Sequence, residues 1–564
     1  MTRRAFALAG LTLAALLTSP LLAAEGPRPL RVDDIFALKS VSDPQISPDG
    51  AWVSYTVRWM DPKEDSADSD VYMVPYAGGA PLRLTSSPKP ESHARFSPDG
   101  RWLAFLSGRE GKKPQVWLLD RRGGEAVKLT DLKAGVSDFA WSPDGKRLAL
   151  VVGDVDPDEP SDDKAGGDKE GAAKTPKPIV IHRLQFLRDG EGFLRDLHQH
   201  LYVFDVAAKA ATQITSGLYD DEDPVWSPDG RWIAFSSKRT ADPDANDNSD
   251  IFVVEAKAGQ TPRAVTTTPA ADREPAFSPD GQWITYVSGG DPKDIWYAAN
   301  HVAVVPVAGG EPRALTAALD RNVSRPRFSP DGKLIYFSVE EGGNVHVARV
   351  PAAGGKVERV IDGERVIENY TLGPRGQIVA LESTPGRPAE VAAFEGGSPR
   401  FLTAVNGDFL KGIRLGEVKR IQATSADGTK IDAFLTLPPD YKPGAKLPTI
   451  LRIHGGPTAQ YSTAFNQEWQ MLAAYGYAVV GANPRGSTGY GTEFSRAIWA
   501  DWGNKDFQDV MAAVDQVVAM GVADPDRLGV GGWSYGGILT DHVITKTSRF
   551  KAATSGASEV NYLA

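Results

Sequence analysis

Apolar and polar residues alternate with a period of two through most of the first 400 positions, and the alternating runs recur around copies of one tight turn. Ser-Pro-Asp-Gly occurs six times, with its serine at positions 47, 97, 142, 227, 278 and 329. Proline pre-sets the backbone of such a turn, aspartate tolerates its second central position and glycine closes it. Repeating units of about 40 to 50 residues, each with roughly four strands, predict the blades of a β-propeller.

One interval between the turns is longer than the others. Successive serines lie 45 to 51 residues apart, except for 85 residues between Ser142 and Ser227. Residues 153–178 in this interval are acidic, contain several Pro and Gly residues and lack apolar periodicity, so we predict a solvated loop there, with cation binding as an alternative. The remainder matches one blade, and a degenerate Gly-Pro-Arg-Gly turn at 373–376 marks the last one. We therefore predict a seven-bladed β-propeller over residues 41–412.

The pattern changes near residue 413 to strands that alternate with helices. A buried run at 447–453 is followed by helical periodicity at 465–475, and further pairs of this kind follow. Such alternation predicts a mostly parallel sheet covered by helices over residues 413–564. Because the last predicted strand, at 551–554, has no further strands and helices after it, we expect this sheet to be incomplete at the C-terminus.

Composition excludes several classes of protein. Hydrophobic residues make up 41% and charged residues 24% of the chain, as in globular proteins. The formal net charge of −10 argues against a nucleic-acid partner, and the absence of cysteine excludes disulfides and thiol chemistry. We predict no cofactor and no metal. His198 and His200 have a spacing that suits a metal on one face of a strand, but no third ligand accompanies them, so we predict a structural or surface role.

The N-terminus has the layout of a signal peptide. Arg3 and Arg4 precede an apolar run at 5–17, and small residues follow before Glu25. The run is shorter than the roughly 20 apolar residues that span a bilayer. We therefore predict that residues 1–24 are a cleaved signal, and that the protein is exported to a periplasm or secreted, without stable membrane association. The paired arginines also suit a twin-arginine signal.

One pentapeptide carries the candidate catalytic chemistry. Residues 532–536 match G-x-S-x-G, in which a strained turn between a strand and a helix holds the serine hydroxyl outward. Here the motif follows an apolar strand and opens a predicted helix, as the chemistry requires. Ser534 is therefore the predicted nucleophile.

A second motif lies where an oxyanion loop belongs. His454, Gly455 and Gly456 end an earlier predicted strand. Backbone N–H groups from the two glycines and from Tyr535 would stabilise the negative oxygen of a tetrahedral intermediate. We expect the imidazole of His454 to support this loop rather than to take part in the reaction.

Several motifs together resemble one family. The run 532–537, the His-Gly-Gly-Pro at 454–457, the Asn-Pro-Arg-Gly-Ser-Thr-Gly-Tyr-Gly at 483–491 and the Asp-Trp-Gly at 501–503 follow a Ser-Pro-Asp-Gly propeller. This combination resembles the prolyl oligopeptidase family of serine peptidases, and most of all its acylaminoacyl-peptidase and bacterial dipeptidyl-peptidase branches. The resemblance implies that residues 413–564 form an α/β-hydrolase domain behind the propeller.

The resemblance has functional implications. It implies hydrolysis of short peptides through an acyl-enzyme at Ser534, with the propeller restricting access by folded proteins. It also implies that the N-terminal segment, residues 25–40, packs back on the hydrolase domain. The partners that follow are short peptide substrates, whereas the oligomeric state does not follow from the resemblance.

The catalytic acid and base are the departure from the family pattern. Hydrolases of this fold place an Asp or Glu and then a His after the elbow, but only 30 residues follow Ser534. His542 lies eight positions along the same predicted helix, about 12 Å away at 1.5 Å per residue, and Asp541 is equally remote. We therefore expect a fragment whose triad Asp and His lie beyond residue 564, and we expect the 564-residue chain to be inactive alone.

Two other functions stay open at this point. A complete chain would be a periplasmic propeller that binds ligands beside a degenerate hydrolase domain. An intact enzyme with this elbow and oxyanion loop would also serve as an esterase, because both devices suit any acyl transfer.

Overall fold

The computed structural model describes residues 26–111, 113–156, 178–190 and 192–561. The predicted signal peptide at 1–24 and most of the predicted acidic loop at 153–178 lie outside the described residues. In the described part, no helix is long and apolar enough to cross a membrane.

The Ser-Pro-Asp-Gly turns form because one serine and one aspartate close each of them. In the second copy, the Ser97 hydroxyl donates to Asp99 Oδ1 at 2.6 Å and accepts the backbone N–H of Trp102 at 2.9 Å. Gly100 has φ +68°, which favours glycine. The bond from Ser97 and the backbone N–H of Arg101 lower the pKa of Asp99, so the carboxylate that holds the turn stays ionised.

The turns punctuate seven four-stranded blades, which confirms the predicted number. Blade 1 comprises Ser40–Ile46, Trp52–Asp61, Ser66–Pro75 and Leu82–Arg83. Blade 2 comprises Glu91–Phe96, Trp102–Ser107, Gln115–Asp120 and Val127–Lys128. Blade 3 comprises Asp138–Trp141, Arg147–Gly153, Gln199–Asp205 and Ala210–Gln213. Blade 4 comprises Asp221–Trp226, Trp232–Ser237, Asp250–Glu255 and Arg263–Ala264.

The remaining three blades follow the same order. Blade 5 comprises Asp272–Phe277, Trp283–Ser288, His301–Pro306 and Arg313–Ala314. Blade 6 comprises Val323–Phe328, Leu334–Glu341, Asn344–Pro351 and Glu358–Ile361. Blade 7 comprises Val366–Leu372, Ile378–Thr384, Arg387–Glu395 and Ser398–Phe401. Short 3-10 helices lie in the loops at Pro243–Ala245, Pro292–Tyr297 and Ala317–Leu319.

The long interval is an insertion in blade 3 and not an eighth blade. It separates the second strand of the blade, Arg147–Gly153, from the third, Gln199–Asp205, and these two strands pair directly. The insertion contains a small hairpin of Leu187–Arg188 and Gly192–Phe193.

Apolar clusters hold the ring of blades together, with one cluster between each pair of neighbours. The cluster between blades 1 and 7 contains Tyr55 and Val57 from one and Leu381 and Val391 from the other. The sheets of these two blades are separate. The ring therefore closes by side-chain packing, without backbone pairing between its first and last sheets.

A six-stranded sheet forms the second unit, in the order β1-β2-β4-β3-β5-β6. Its strands are β1 (Val418–Thr424), β2 (Lys430–Thr436), β3 (Leu447–Ile453), β4 (Ala478–Ala482), β5 (Ala523–Trp533) and β6 (Phe550–Gly556). The last four are parallel and the first two antiparallel. This is the predicted α/β-hydrolase arrangement. In the described residues β6 pairs only with β5, and its side chains from 551 to 555 are exposed.

Within the part of the chain that the structure describes, five helices accompany the sheet and the segment before it. They are α1 (Gly407–Lys411), α2 (Gln467–Ala474), α3 (Thr492–Arg496), α4 (Lys505–Ala519) and α5 (Tyr535–Lys546). The apolar side of α4, with Val510, Val514 and Val517, is buried in the hydrolase core. This burial follows from their spacing of three and four residues on one helical face.

The N-terminal segment runs beside the connection between the two units. Arg28–Pro29 pairs in parallel with Ile413–Arg414, and a 3-10 helix follows at Val32–Phe36. The Arg28 guanidinium bonds both carboxylate oxygens of Asp34 at 2.7 and 2.8 Å, and this bond lowers the pKa of Asp34.

A buried ion pair ties the loop after β4 to helix α4. Arg485 donates from its Nε and one terminal nitrogen to the two oxygens of Asp509 at 2.9 and 2.7 Å, and it also bonds Asp427. The Ser425 hydroxyl donates to the same Asp509 carboxylate at 2.6 Å. The bonds to Asp509 raise the pKa of Arg485. Asp509 is fully buried, so it depends on this arginine for its counter-charge.

Replacing Arg485 with Met should destabilise the hydrolase domain. The change leaves Asp509 buried without its counter-charge, which costs about 3–5 kcal/mol. The matched control is Arg549→Met, because Arg549 pairs at 2.7 Å with an Asp515 side chain that is 63% exposed; removing an exposed pair costs about 1 kcal/mol or less. Urea unfolding, followed by circular dichroism, measures the free energy of unfolding of both variants. Equal losses in the two variants would contradict the prediction.

Candidate active site

The serine predicted as nucleophile lies in a strained turn between a strand and a helix. Strand β5 ends at Trp533 and helix α5 begins at Tyr535, so Ser534 is the residue between them. Its φ is 57° and its ψ −126°, a conformation that few non-glycine residues adopt. Its backbone N–H donates to the Gly556 carbonyl at 3.0 Å, and its side chain is exposed. The geometry is that of a nucleophile elbow.

Glycines on either side of the serine allow this turn. A Cβ on Gly532 would lie 2.2 Å from the Gly536 carbonyl oxygen, and a Cβ on Gly536 would lie 2.2 Å from the Ile453 carbonyl oxygen. Both neighbours are backbone atoms, which cannot rotate away. The first turn of α5 therefore packs directly on the end of β3 only because these two positions carry no side chain.

The predicted oxyanion loop runs beside the elbow. A Cβ added at Gly455 would lie 3.5 Å from the Cβ of Ser534, so this loop passes close to the serine. His454 is buried, with Nδ1 2.8 Å from the Gly455 carbonyl oxygen and Nε2 3.0 Å from the Ser487 hydroxyl. Burial lowers the pKa of His454, so its imidazole is neutral at pH 7. Both ring nitrogens are engaged within the loops.

Tyr535, the third predicted oxyanion residue, is anchored by its side chain. It is buried, and its hydroxyl donates to Asp506 Oδ2 at 2.6 Å. The Trp502 ring packs edge-on against it, with ring centroids 5.1 Å apart. Asp506 also accepts the N–H of Gly503 at 3.0 Å. Burial raises the pKa of both Tyr535 and Asp506.

The role of Asp506 was missed by sequence reasoning. An acidic residue in the first turn of a helix is an ordinary feature there, since it faces the positive end of the helix dipole. Its contact with Tyr535, 29 positions away, arises only from the packing of α4 beside α5. The Asp-Trp-Gly motif at 501–503 was the one available signal in this region.

Other acidic and histidine candidates are engaged elsewhere. The Ser558 hydroxyl donates to Asp541 at 2.5 Å, and the His542 ring lies against Gly503. Among the described residues, the Ser534 hydroxyl has no hydrogen-bond partner. In the same part of the chain, no group of three His, Asp or Glu side chains suits a metal. His198 and His200 face different carboxylates, Asp220 at 3.6 Å and Asp154 at 3.4 Å.

The elbow opens toward the propeller. Strands β3, β4 and β5 are parallel, so their carboxyl ends meet at one edge of the sheet, where ligands bind in open α/β sheets. The loops after β3 and β4 contact a turn of blade 6. Gln460 Oε1 accepts the N–H of Gly343 at 2.9 Å, and the Gly489 carbonyl accepts that of Gly342 at 3.0 Å.

Fold and site together define an α/β-hydrolase with a serine elbow that faces a seven-bladed propeller. Residues 463–564 match the model of the prolyl oligopeptidase family. The chain is 33% identical over 551 residues to a Bacillus subtilis protein named as the uncharacterized peptidase YuxL, covering 95% of this chain and 83% of that protein. The chain therefore belongs to the prolyl oligopeptidase family, and it is a serine peptidase.

One further curated protein and one solved structure are similar to this chain. Dipeptidyl-peptidase 5 of Porphyromonas gingivalis is 26% identical over 528 residues, covering 89% of this chain and 74% of that protein. Among solved structures, the Pyrococcus horikoshii acylaminoacyl peptidase superposes with a TM-score of 0.77 at 23% identity. That superposition covers 92% of this chain and 78% of the other, and it supports the two-unit fold.

Adding one methyl group at Gly536 should damage the elbow. The new Cβ would meet the carbonyl oxygens of Ile453 and His454 at 2.2 and 2.9 Å. Overpacking of this kind costs about 1–3 kcal/mol, which for a domain of this size lowers Tm by roughly 2 to 12 °C. Gly386→Ala is the control, because nothing lies within 4 Å of its Cβ position. Differential scanning calorimetry measures the Tm of both variants. An unchanged Tm for Gly536→Ala would contradict the packing argument.

Proposed function

We propose that this protein hydrolyses short peptides through an acyl-enzyme formed on Ser534. The observation that carries the proposal is the exposed serine at φ 57°, held between a parallel strand and a helix at the sheet edge that faces the propeller. Membership of the prolyl oligopeptidase family supports peptides as the substrates.

The reaction has two steps. The Ser534 hydroxyl gives up its proton as its oxygen attacks the scissile carbonyl carbon, and the resulting tetrahedral intermediate expels the amine, which takes up that proton. Water then attacks the ester carbonyl and releases the acid together with free Ser534. The N–H groups of Tyr535 and of the Gly455–Gly456 loop stabilise the oxyanion in both steps, because they are fixed before the charge develops.

We infer that the general base and its carboxylate partner lie outside the residues that the structure describes. A serine hydroxyl is a weak nucleophile without an adjacent base. His454 is unsuited to this role, because its two ring nitrogens already face Gly455 and Ser487. His542 lies along α5 against Gly503.

The propeller restricts which substrates reach the serine. In the described residues, the hydrogen bonds between the two units come from blades 5, 6 and 7 and the loops beside them. They include Trp502 Nε1 to Tyr297, Thr492 to Asp320, and the Phe465 N–H to the Ser383 hydroxyl. These contacts support a propeller seated over the site edge, which admits peptides and excludes folded proteins.

Two substrate classes remain within this proposal. The name of the Porphyromonas gingivalis relative supports release of dipeptides from a free N-terminus, and the acylaminoacyl-peptidase alternative requires a blocked one. Comparing Ala-Ala-p-nitroanilide with its N-acetylated form separates them. An esterase would instead hydrolyse p-nitrophenyl esters with little anilide hydrolysis. We further propose export to a periplasm or secretion, on the basis of residues 1–24.

Replacing Ser534 with Ala should abolish hydrolysis of peptide p-nitroanilides by the whole protein. Loss of a serine nucleophile lowers kcat/KM on the order of 10⁴-fold or more. The whole protein should also be labelled by a fluorophosphonate at Ser534, as mass spectrometry of the labelled peptide would show. The control is Ser398→Ala, an exposed serine of blade 7. Retained hydrolysis in Ser534→Ala would overturn the proposal.

The polypeptide of residues 25–564 alone should hydrolyse the same anilides at a negligible rate. The expected reason is that it holds the predicted nucleophile and oxyanion loop without the base. Peptide binding by this polypeptide, measured calorimetrically, is a separate readout that a binding scaffold would retain. Turnover at a rate ordinary for a serine peptidase would show that the base lies within these residues.

A further inference from the structure

A loop of the propeller enters the core of the hydrolase domain. It comprises residues 289–300, between the second and third strands of blade 5, and is called the blade 5 loop here. Its Tyr297 is only 4% exposed and packs within the same apolar cluster as the hydrolase core. The neighbouring Trp296 is 57% exposed.

The backbone beside Tyr297 is strained. Ile295, two residues earlier, has φ 46° and ψ −130°, a conformation unfavourable for a β-branched side chain. Strain of this kind persists only where the surroundings impose it, and it is concentrated at functional sites. Contacts with the hydrolase domain lie on both sides of Ile295. Arg496 Nε lies 3.1 Å from Asp294, and the Tyr297 and Trp499 rings are 5.7 Å apart.

Tyr297 connects to the predicted oxyanion site through a single intermediate residue. Its hydroxyl accepts the indole N–H of Trp502 at 2.8 Å. The Trp502 ring packs edge-on against the ring of Tyr535, whose hydroxyl is held by Asp506 at 2.6 Å. Tyr535 is thus fixed from two sides, by Asp506 within the domain and by Trp502 against the propeller.

We propose that Tyr297 is a positioning residue for the oxyanion hole, so that the blade 5 loop aligns the Tyr535 N–H through Trp502. This rests on the proposed function of Ser534. The backbone N–H of Tyr535 can point at the developing oxyanion only if the first turn of α5 is held in place. The buried ring of Tyr535 holds that turn. Docking of the propeller therefore contributes to transition-state stabilisation as well as to substrate access.

The test is Tyr297→Phe in the whole protein, which keeps the ring and removes the acceptor for Trp502. We expect kcat for a peptide anilide to fall about tenfold with KM within about twofold, because oxyanion contacts act in the transition state and small misplacements are costly. The Ki of a peptide aldehyde, which forms a tetrahedral adduct with the serine, should rise by the same factor. The Ki of a product peptide should stay constant.

Tyr286→Phe is the matched control. Tyr286 is a fully buried tyrosine of the same blade whose hydroxyl has no hydrogen-bond partner in the described residues. This variant should keep wild-type kinetics. If Tyr297→Phe folds poorly, Trp502→Phe removes the donor from the other side of the same bond, and the double variant should be no slower than Trp502→Phe alone.

The outcomes are distinguishable. Wild-type kcat in folded Tyr297→Phe, or a rise in KM with kcat unchanged, would overturn the positioning role. A wild-type protein whose Ser534 resists fluorophosphonate would instead overturn the proposed function.

Discussion

Direct backbone contact at the start of helix α5 is the constraint on which the active-site region depends. Gly532 and Gly536 let this helix approach β3 so closely that a Cβ at either position would lie 2.2 Å from a carbonyl oxygen. That approach forces Ser534 into a positive φ and presents its hydroxyl at the sheet edge. The same approach brings Gly455 beside the serine. The strain at one residue is therefore the consequence of close packing around it, and it costs on the order of 1–3 kcal/mol.

The propeller and the hydrolase domain are stabilised by different sets of interactions. Apolar clusters join neighbouring blades of the propeller, including blade 7 with blade 1, whose sheets are separate, whereas blades 6 and 7 share one sheet. Because no described strand of blade 7 pairs with a strand of blade 1, side-chain packing holds these two blades together. The hydrolase domain also has an apolar core, and in addition a buried ion pair of Arg485 with Asp509 ties the loop after β4 to α4. Contacts between the units, such as Tyr297 with Trp502, link the propeller to residues beside the elbow.

Much of the fold was predictable because its signals are local. Each of the six Ser-Pro-Asp-Gly turns carries the serine and aspartate that close it, and a degenerate turn at 373–376 marks the last blade, so seven blades could be counted from sequence. The strand at 447–453 was also predicted with its observed limits. Helix α2 begins at Gln467, two residues after its predicted start at 465, because helix ends depend on caps and on packing that periodicity does not report. The domain limits and the site residues stay predictions.

The sequence by itself determined the elements, the propeller repeat and the identity of Ser534 as candidate nucleophile, because turns, periodicity and the G-x-S-x-G motif act over a few residues. Only the tertiary structure decided what surrounds that serine. Asp506 bonds Tyr535, 29 positions away in the chain, and Tyr297 of blade 5 bonds Trp502, 205 positions away. Those meetings depend on how α4 packs beside α5 and on where the propeller rests on the hydrolase domain. No local sequence pattern encodes contacts between residues so far apart in the chain, since these contacts arise from the packing of whole elements in three dimensions.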